Sequence, residues 1–237
     1  MHQQLRLVMS RSGPIRDAIF EQEAAIFART YGVERADHVA EFGPFESASA
    51  FLAVLDERDG VAGFMRLVTP GPAGLKTLVE AGGPPWWIDG GRAARAAGID
   101  PDDTWDVATL GVPRGAGSKR MMITAALYHG LVIAARENHV RSLLMTVDER
   151  VRAILAVMGL TTFALPGAKP GPFCGSPAST PVWAHCAQML DGQRRNNPEA
   201  YRLIAQGVGL DGISVPTADH FVLPYVGLPV MSGAVPA

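Results

Sequence analysis

The segment from Arg114 to Lys119 carries the residue types of an anion-binding turn. It reads Arg-Gly-Ala-Gly-Ser-Lys and separates an apolar run, 105–112, from a long segment with helical periodicity. Backbone N–H groups at the start of a helix have no partner within the helix, and they bind phosphate where glycine lets the chain approach closely. Lys119 and Arg120 would add positive charge there. The segment predicts a phosphate cradle, and a plain turn that uses glycine for its geometry is the alternative.

Strands and helices alternate around this turn. Apolar runs rich in Val, Leu and Met predict strands, and a 3.6-residue apolar repeat predicts helices. From the turn onward we expect a strand at 105–112, helix at 119–137, strand at 140–147, helix at 149–158 and strand at 160–165. Before it we expect a helix at 14–31 and a hairpin of strands at 51–55 and 61–67. This order indicates an α/β (α+β) fold with a mixed central sheet flanked by helices.

The remaining stretches define the domain organisation. The segment 82–103 is rich in Gly, Pro and Ala and predicts a long insertion. Prolines at helix-start positions predict two more helices, at about 179–195 and 198–206. Residues 207–237 lack clear periodicity and predict a Gly/Pro-rich tail, either extended on the body or disordered. We therefore expect a single domain over 1–206, followed by that tail.

Composition narrows the class of protein. The chain has 237 residues, 48% hydrophobic and 19% charged, which suits one globular domain with a full core. A formal net charge of −2 gives no reason to expect nucleic-acid binding. Cys174 and Cys186 are not spaced as a zinc site, so no metal is expected. Neither a signal-peptide core nor a membrane-spanning apolar run is found, so we expect a cytoplasmic protein without membrane contact.

The order of elements resembles the GNAT fold of acyl-CoA N-acyltransferases. In that family a glycine turn with the pattern Gln/Arg-x-x-Gly-x-Gly/Ala binds the pyrophosphate of acyl-CoA, and the fourth and fifth strands separate to admit pantetheine. Arg114 and Gly117 match the arginine and the middle glycine, and Lys119 takes the last position. The resemblance implies a donor-binding set of Val112, Arg114, Gly115, Gly117, Ser118 and Lys119.

Within that fold, short motifs resemble the acyl-homoserine-lactone (autoinducer) synthases and the related N-acyl amino acid synthases. Arg16 and Phe20 have the Arg-x-x-x-Phe spacing of the family's first helix, and Asp37 lies in the acidic stretch that follows it. Arg66 takes the arginine position of a block similar to Arg-Leu-x-Pro-Thr. The resemblance covers roughly residues 14–165. It implies an acyl donor on acyl carrier protein or CoA and a small-molecule amine as acceptor.

A further block, from Trp105 onward, is similar to Trp-Glu-x-Ser-Arg-Phe but departs from it at three positions. Asp106 replaces the glutamate, Ala108 the serine and Thr109 the arginine. A site built for S-adenosylmethionine and lactone formation is expected to keep those groups. The departures favour N-acylation of another, amino-acid-like amine over lactone synthesis.

Acyl transfer from a thioester requires a base for the amine and donors for the developing oxyanion. Asp106 is the candidate base or acceptor contact, and the backbone N–H of Leu110 or Gly111 is the candidate oxyanion donor. Arg66 is the candidate partner for an acceptor carboxylate. The other candidates for substrate contact are Arg16, Phe20, Glu34, Asp37, Trp105 and Thr109.

Each assignment has a structural alternative. Asp106 could pair with Arg66 in a purely structural bond, Arg66 could be a surface arginine, and Glu34 and Asp37 could be solvated charges. Two alternatives to the function also stay open. One is a conventional GNAT acetyltransferase that uses acetyl-CoA on a small molecule, and the other is a GNAT-like protein that binds an acyl or lactone ligand without turnover.

Overall fold

The computed structural model describes residues 4–224, which form one mixed sheet with helices packed on both faces. Within this range the sheet has nine strands: β1 (Leu5–Ser10), β2 (Ser49–Leu55), β3 (Val61–Val68), β4 (Thr104–Gly111), β5 (Ser142–Asp148), β6 (Phe163–Ala164), β7 (Gly171–Phe173), β8 (Ser176–His185) and β9 (Ile213–Ser214). The described α-helices are α1 (Gly13–Tyr31), α2 (Arg35–Phe42), α3 (Lys76–Ala81), α4 (Gly90–Ala96), α5 (Arg120–Glu137), α6 (Glu149–Val157), α7 (Cys186–Asn196) and α8 (Pro198–Ala205).

The strand order is β6-β8-β5-β4-β3-β2-β1-β9, and β7 pairs with β8. Strands β1 to β4 pair antiparallel, β4 and β5 pair parallel, and β5 and β8 pair antiparallel. The predicted mixed α/β sheet is therefore confirmed. Every residue of β2 is buried, because α5 covers one face of the sheet and α1 the other, and an apolar run without alternation is the pattern of a strand covered on both faces.

Prediction and structure differ most at 179–195. The predicted helix is instead the strand β8, and only its second half forms α7. β8 pairs along the whole of β5, so the exposed edge of β5 outweighs the helix-start signal of Pro181, which lies opposite Thr146 in the strand. The structure also contains β1 and α2, two elements that the sequence pattern did not predict.

Residues 207–224, predicted as part of a tail, pack on the body. β9 pairs parallel with β1, and Phe221 is fully buried beside α5, where its carbonyl oxygen accepts a hydrogen bond from Asn138 Nδ2 at 2.7 Å. The rest of the predicted tail, 225–237, lies outside the described residues. None of the described helices is long and apolar enough to cross a membrane.

Candidate active site

The parallel strands β4 and β5 separate after a short paired stretch. Pairing begins at Thr104 and Ser142 and ends where Asp106 lies opposite Leu144. Beyond that point a cavity of about 320 Å³ opens between them, lined by residues 107–110 of β4 and 145–148 of β5. This is the splayed cleft that the GNAT resemblance implies, and Asp106 lies at the point where it opens.

A β-bulge re-aims β4 along the cleft. In the pairing with β3, Thr109 lies opposite Arg66 and Val107 opposite Leu67, so Ala108 is the extra residue. A bulge of this kind bends a strand and changes the direction of its peptide groups. Leu110, two residues further on, is 39% exposed in an otherwise largely covered strand.

Gly111, a predicted oxyanion donor, is required by packing whether or not it serves in catalysis. A Cβ atom built on it would lie 2.4 Å from Phe64 Cζ and 3.1 Å from Ile26 Cδ1. Only a residue without a side chain fits there. The role of the Gly111 and Leu110 N–H groups as oxyanion donors stays a prediction.

Asp106 is almost fully buried and lines the cleft. Its Oδ2 accepts a hydrogen bond from the Thr77 backbone N–H at 2.5 Å, and its Oδ1 accepts one from Thr77 Oγ1 at 2.9 Å. Burial raises the pKa of Asp106 to about 7 against the lowering effect of these bonds, and the nearby Glu80 carboxylate raises it further. Asp106 does not pair with Arg66, the alternative considered from the sequence, because its hydrogen-bond partner is Thr77 of α3.

A lysine with two carboxylate partners lies beside Asp106. Lys76 Nζ donates to Glu41 Oε1 at 2.7 Å and also to Glu80, and Glu80 accepts a longer bond of 3.5 Å from Thr146 Oγ1. Burial raises the pKa of Glu80, and the two carboxylates raise the pKa of Lys76 against the effect of its own burial. Sequence reasoning missed this triad, although the i,i+4 spacing of Lys76 and Glu80 on a short helix was a usable signal.

The Arg66 side chain points into the protein interior and not into the cleft, where an acyl acceptor would bind. Its side chain is fully buried, and Nη2 lies 2.5 Å from Glu23 Oε2, while Nη1 bonds Glu46 Oε2 at 3.1 Å and Ser49 Oγ at 3.3 Å. It is neither a surface arginine nor a residue that lines the cleft. No signal in the sequence singled out Glu23, because one glutamate in an amphipathic helix normally faces solvent.

The Glu23 carboxylate joins four elements. Besides Arg66 of β3, it accepts a hydrogen bond of 2.5 Å from Thr109 Oγ1 of β4 and lies 3.1 Å from His38 Nε2 of α2. Burial by itself would raise the pKa of Glu23, but its bonding partners, above all His38 and Arg66, together bring that pKa below its ordinary value. Thr109 touches the cleft wall, but its hydroxyl is directed into this network.

The structure does not bring the other predicted acceptor contacts to the cleft. Glu34 and Asp37 are exposed at the start of α2, as in their solvated alternative. Arg16 pairs with Asp17 and Glu46. Phe20 is buried under Arg16, and Trp105 belongs to the main core cluster. None of these residues is among those that line the cleft.

The predicted donor turn directly precedes α5. Residues Arg114–Lys119 form a 3₁₀ helix, interrupted at Gly117, whose φ of 53° and ψ of −132° favour glycine. Gly115, Gly117, Ser118 and Lys119 are exposed, whereas Val112 is buried in the core. The first turn of α5 contains no acidic residue. The geometry suits an anion, and pyrophosphate binding stays a prediction.

A second cavity of about 740 Å³ lies between α5, α7, α8 and β5. It shares a wall with the cleft that is apolar apart from one phenol and consists of Tyr128, Leu131, Leu143, Leu160 and Met189. His129 on α5 bonds the Ile204 carbonyl oxygen through Nδ1 at 2.8 Å, which ties α5 to α8.

In the described part of the chain, no three His, Cys, Asp or Glu side chains are grouped to hold a metal ion.

Comparison with solved structures shows that the fold of this chain is a known one. The N-acyl amino acid synthase FeeM, from uncultured soil microbes, superposes with a TM-score of 0.58 at 11% identity, over 82% of this chain and 97% of its own. This chain has a GNAT-like fold of the autoinducer-synthase type. The CoA-dependent acyl-homoserine lactone synthase BjaI, solved with SAM and isopentyl-CoA, gives 0.57 at 12% identity, over 92% of this chain and 97% of its own.

The acyl-homoserine-lactone synthase LasI gives a TM-score of 0.53 at 12% identity, over 78% of this chain and 90% of its own. No protein-family model and no curated protein sequence matches the chain. The similarity is therefore one of fold, with nearly all of each related chain covered.

Proposed function

We propose that this protein is an N-acyltransferase that moves an acyl group from a CoA or acyl-carrier-protein thioester to the amine of a small molecule. The observation that carries the proposal is Asp106, a buried carboxylate at the base of the β4–β5 cleft with a pKa raised to about 7. A general base is most effective when its pKa lies near the working pH, and an ordinary aspartate titrates far below it.

We expect each part of the donor to lie in the cleft or beside it. Pantetheine would lie along the edge of β4 that β5 leaves unpaired beyond Asp106, as an added strand does. The pyrophosphate of CoA would lie at the Gly117 turn, and the acyl chain would point toward the apolar wall shared with the second cavity. The apolar side chains of this wall would suit an acyl group longer than acetyl.

The reaction follows from these positions. The acceptor amine loses a proton to Asp106 as its nitrogen attacks the thioester carbonyl carbon. The oxyanion that forms would be stabilised by backbone N–H groups of Leu110 or Gly111. Collapse of the tetrahedral intermediate breaks the C–S bond, leaves an amide, and releases a thiolate that takes up the proton held by Asp106.

Purified protein incubated with a panel of acyl-CoA and acyl-carrier-protein thioesters and pooled amines tests the proposal. We expect free thiol above the no-acceptor background together with an amide of the predicted mass. Asp106→Asn should abolish most of this acceptor-dependent thiol release. The control Asp102→Asn, which removes an exposed carboxylate four residues earlier, should not. Absence of thiol release with every donor would refute the enzyme, and release with acetyl-CoA alone would favour the conventional acetyltransferase.

A further inference from the structure

More negatively charged than positively charged side chains line the β4–β5 cleft. Four carboxylates face the cavity, those of Glu41, Glu80, Asp106 and Asp148, and Lys76 is the one cationic side chain among its described lining residues. Hydrogen bonds from Ser176 Oγ and from the Arg150 backbone N–H keep the pKa of Asp148 low. Even without Asp106, whose pKa is raised to about 7, three carboxylates line the cavity against one ammonium, so the cavity that would receive the acceptor is anionic as a whole.

Lys76, the cation that lines the cavity, and Arg66, the predicted partner of an acceptor carboxylate, are both already paired with carboxylates. Lys76 bonds both Glu41 and Glu80, so the triad keeps one surplus negative charge. Arg66, which the sequence assigns to an acceptor carboxylate, is fully buried against Glu23 and Glu46. A carboxylate that entered the cleft would lose its hydration and meet mainly like charges, which is unfavourable.

Aromatic rings complete a cation-binding environment. Phe27, Tyr31, Phe42, Phe64 and Phe173 line the same cavity. The ring of Phe42 already contacts two cations, because Arg66 Cζ lies 4.2 Å and Lys76 Nζ 4.7 Å from its centroid. Aromatic faces attract cations and offer nothing comparable to a carboxylate.

From this lining we infer that the acceptor is an amine with a second positive charge and no carboxylate, a diamine or polyamine instead of an α-amino acid. The inference rests on the proposed function. One amino group is deprotonated at Asp106 and attacks the thioester. The second stays protonated and pairs with the surplus charge of the Lys76–Glu41–Glu80 triad. The triad lies beside Asp106, because Lys76 directly precedes Thr77, the hydrogen-bond partner of Asp106.

Three acceptors that differ by one group each provide the test. 1,5-Diaminopentane differs from lysine only by the carboxylate and from 1-aminopentane only by the second amine. With one acyl donor held fixed, we expect kcat/KM for the diamine to exceed both others by at least about tenfold, the effect of a single well-formed polar contact. A value for lysine, or for S-adenosylmethionine, equal to or above that of the diamine would overturn the inference.

The design separates the inference from the function on which it rests. Thiol release with lysine but not with the diamine overturns the inference and leaves the acyltransferase intact. No release with any acceptor overturns the proposed function. Calorimetric binding of the same three compounds then decides the inference: tighter binding of the diamine supports it, and equal or weaker binding than lysine overturns it.

A variant locates the second ammonium. Glu80→Gln removes the surplus charge and leaves Lys76 with one carboxylate, so the ratio of kcat/KM between diamine and lysine should fall by about tenfold. The matched control is Glu21→Gln, which removes an exposed carboxylate of α1 that pairs with Arg35 of α2. It should leave the ratio unchanged. Thermal unfolding of both variants checks that they fold. An unchanged ratio in folded Glu80→Gln would overturn the assignment to the triad.

Discussion

Arg66 Nη2 and Glu23 Oε2 lie 2.5 Å apart, and neither side chain is exposed to solvent. The pair joins β3 to α1, and Thr109 of β4 and His38 of α2 contact the same carboxylate. Arg66 is thus part of the frame that holds the wall of the cleft. An arginine that resembles a substrate-binding residue by its motif is here a buried structural cation.

Removing the charge of Glu23 should destabilise the fold strongly. Glu23→Gln leaves the buried Arg66 guanidinium with only the partly exposed Glu46 as anionic partner, and breaking such a pair costs about 3–5 kcal/mol. The free energy of unfolding in urea measures the loss. Glu21→Gln lies on the same helix but disturbs only an exposed pair with Arg35 of α2, so it should leave the unfolding midpoint unchanged. Equal midpoints for the two variants would contradict the structural role of Glu23.

The rate should depend on pH through Asp106. The carboxylate form is the base, and its pKa is about 7 because burial disfavours the charge. The value of kcat/KM should therefore rise as pH increases through about 7 and level off above it. Asp106→Asn should lose about 10²–10⁴-fold in rate and with it this dependence. A variant that kept full activity would remove Asp106 from the chemistry.

The charge of Glu80 should shift that profile. Glu80 raises the pKa of Asp106 in addition to the effect of burial, so Glu80→Gln should move the midpoint of kcat/KM to lower pH. The direction is the informative result, because a variant that merely loosened the site would lower the rate without moving the midpoint downward. Profiles of wild type and variant, measured with one donor and one acceptor, give the comparison.

Gly111 should tolerate no side chain. The Cβ of alanine would lie 2.4 Å from Phe64 Cζ, so the buried Phe64 ring would have to shift, and Gly111→Ala should cost about 1–3 kcal/mol of stability. Gly192→Ala is the control, since its Cβ meets no atom within 4 Å inside α7 and alanine favours helix by about 1 kcal/mol. Urea unfolding should show opposite signs for the two.

Local signals predicted the elements that build the cleft. The strand at β4, the glycine turn and the helix α5 follow one another along the chain, and their apolar periodicity and turn residues act over a few positions. Asp106 was correctly placed on this strand for the same reason. The segment 179–195 was assigned wrongly because β8 exists only through its pairing with β5, a contact that local propensity does not encode.

The partners within the site were out of reach of such signals. Asp106 bonds Thr77, which is 29 residues away, and Lys76 bonds Glu41 across 35 residues. Nothing in α1 distinguishes the buried Glu23 from the exposed Glu21 two positions earlier until the sheet covers one of them. Residue types and motifs therefore indicated the kind of chemistry, while its charge balance depended on tertiary packing.

The last prediction concerns the donor turn and separates CoA from simpler thioesters. Gly117 has φ 53° and ψ −132°, a conformation that an L-residue adopts only with strain, so Gly117→Ala should distort the turn ahead of α5. If the turn holds the pyrophosphate, KM for acyl-CoA should rise about tenfold, the equivalent of one lost charged contact. KM for the matching acyl-pantetheine, which lacks the nucleotide and the pyrophosphate, should not change. Gly212→Ala, which places alanine at a φ of 80° far from the turn, controls for strain alone. An equal rise in KM for both thioesters would mean that this turn positions pantetheine and not phosphate.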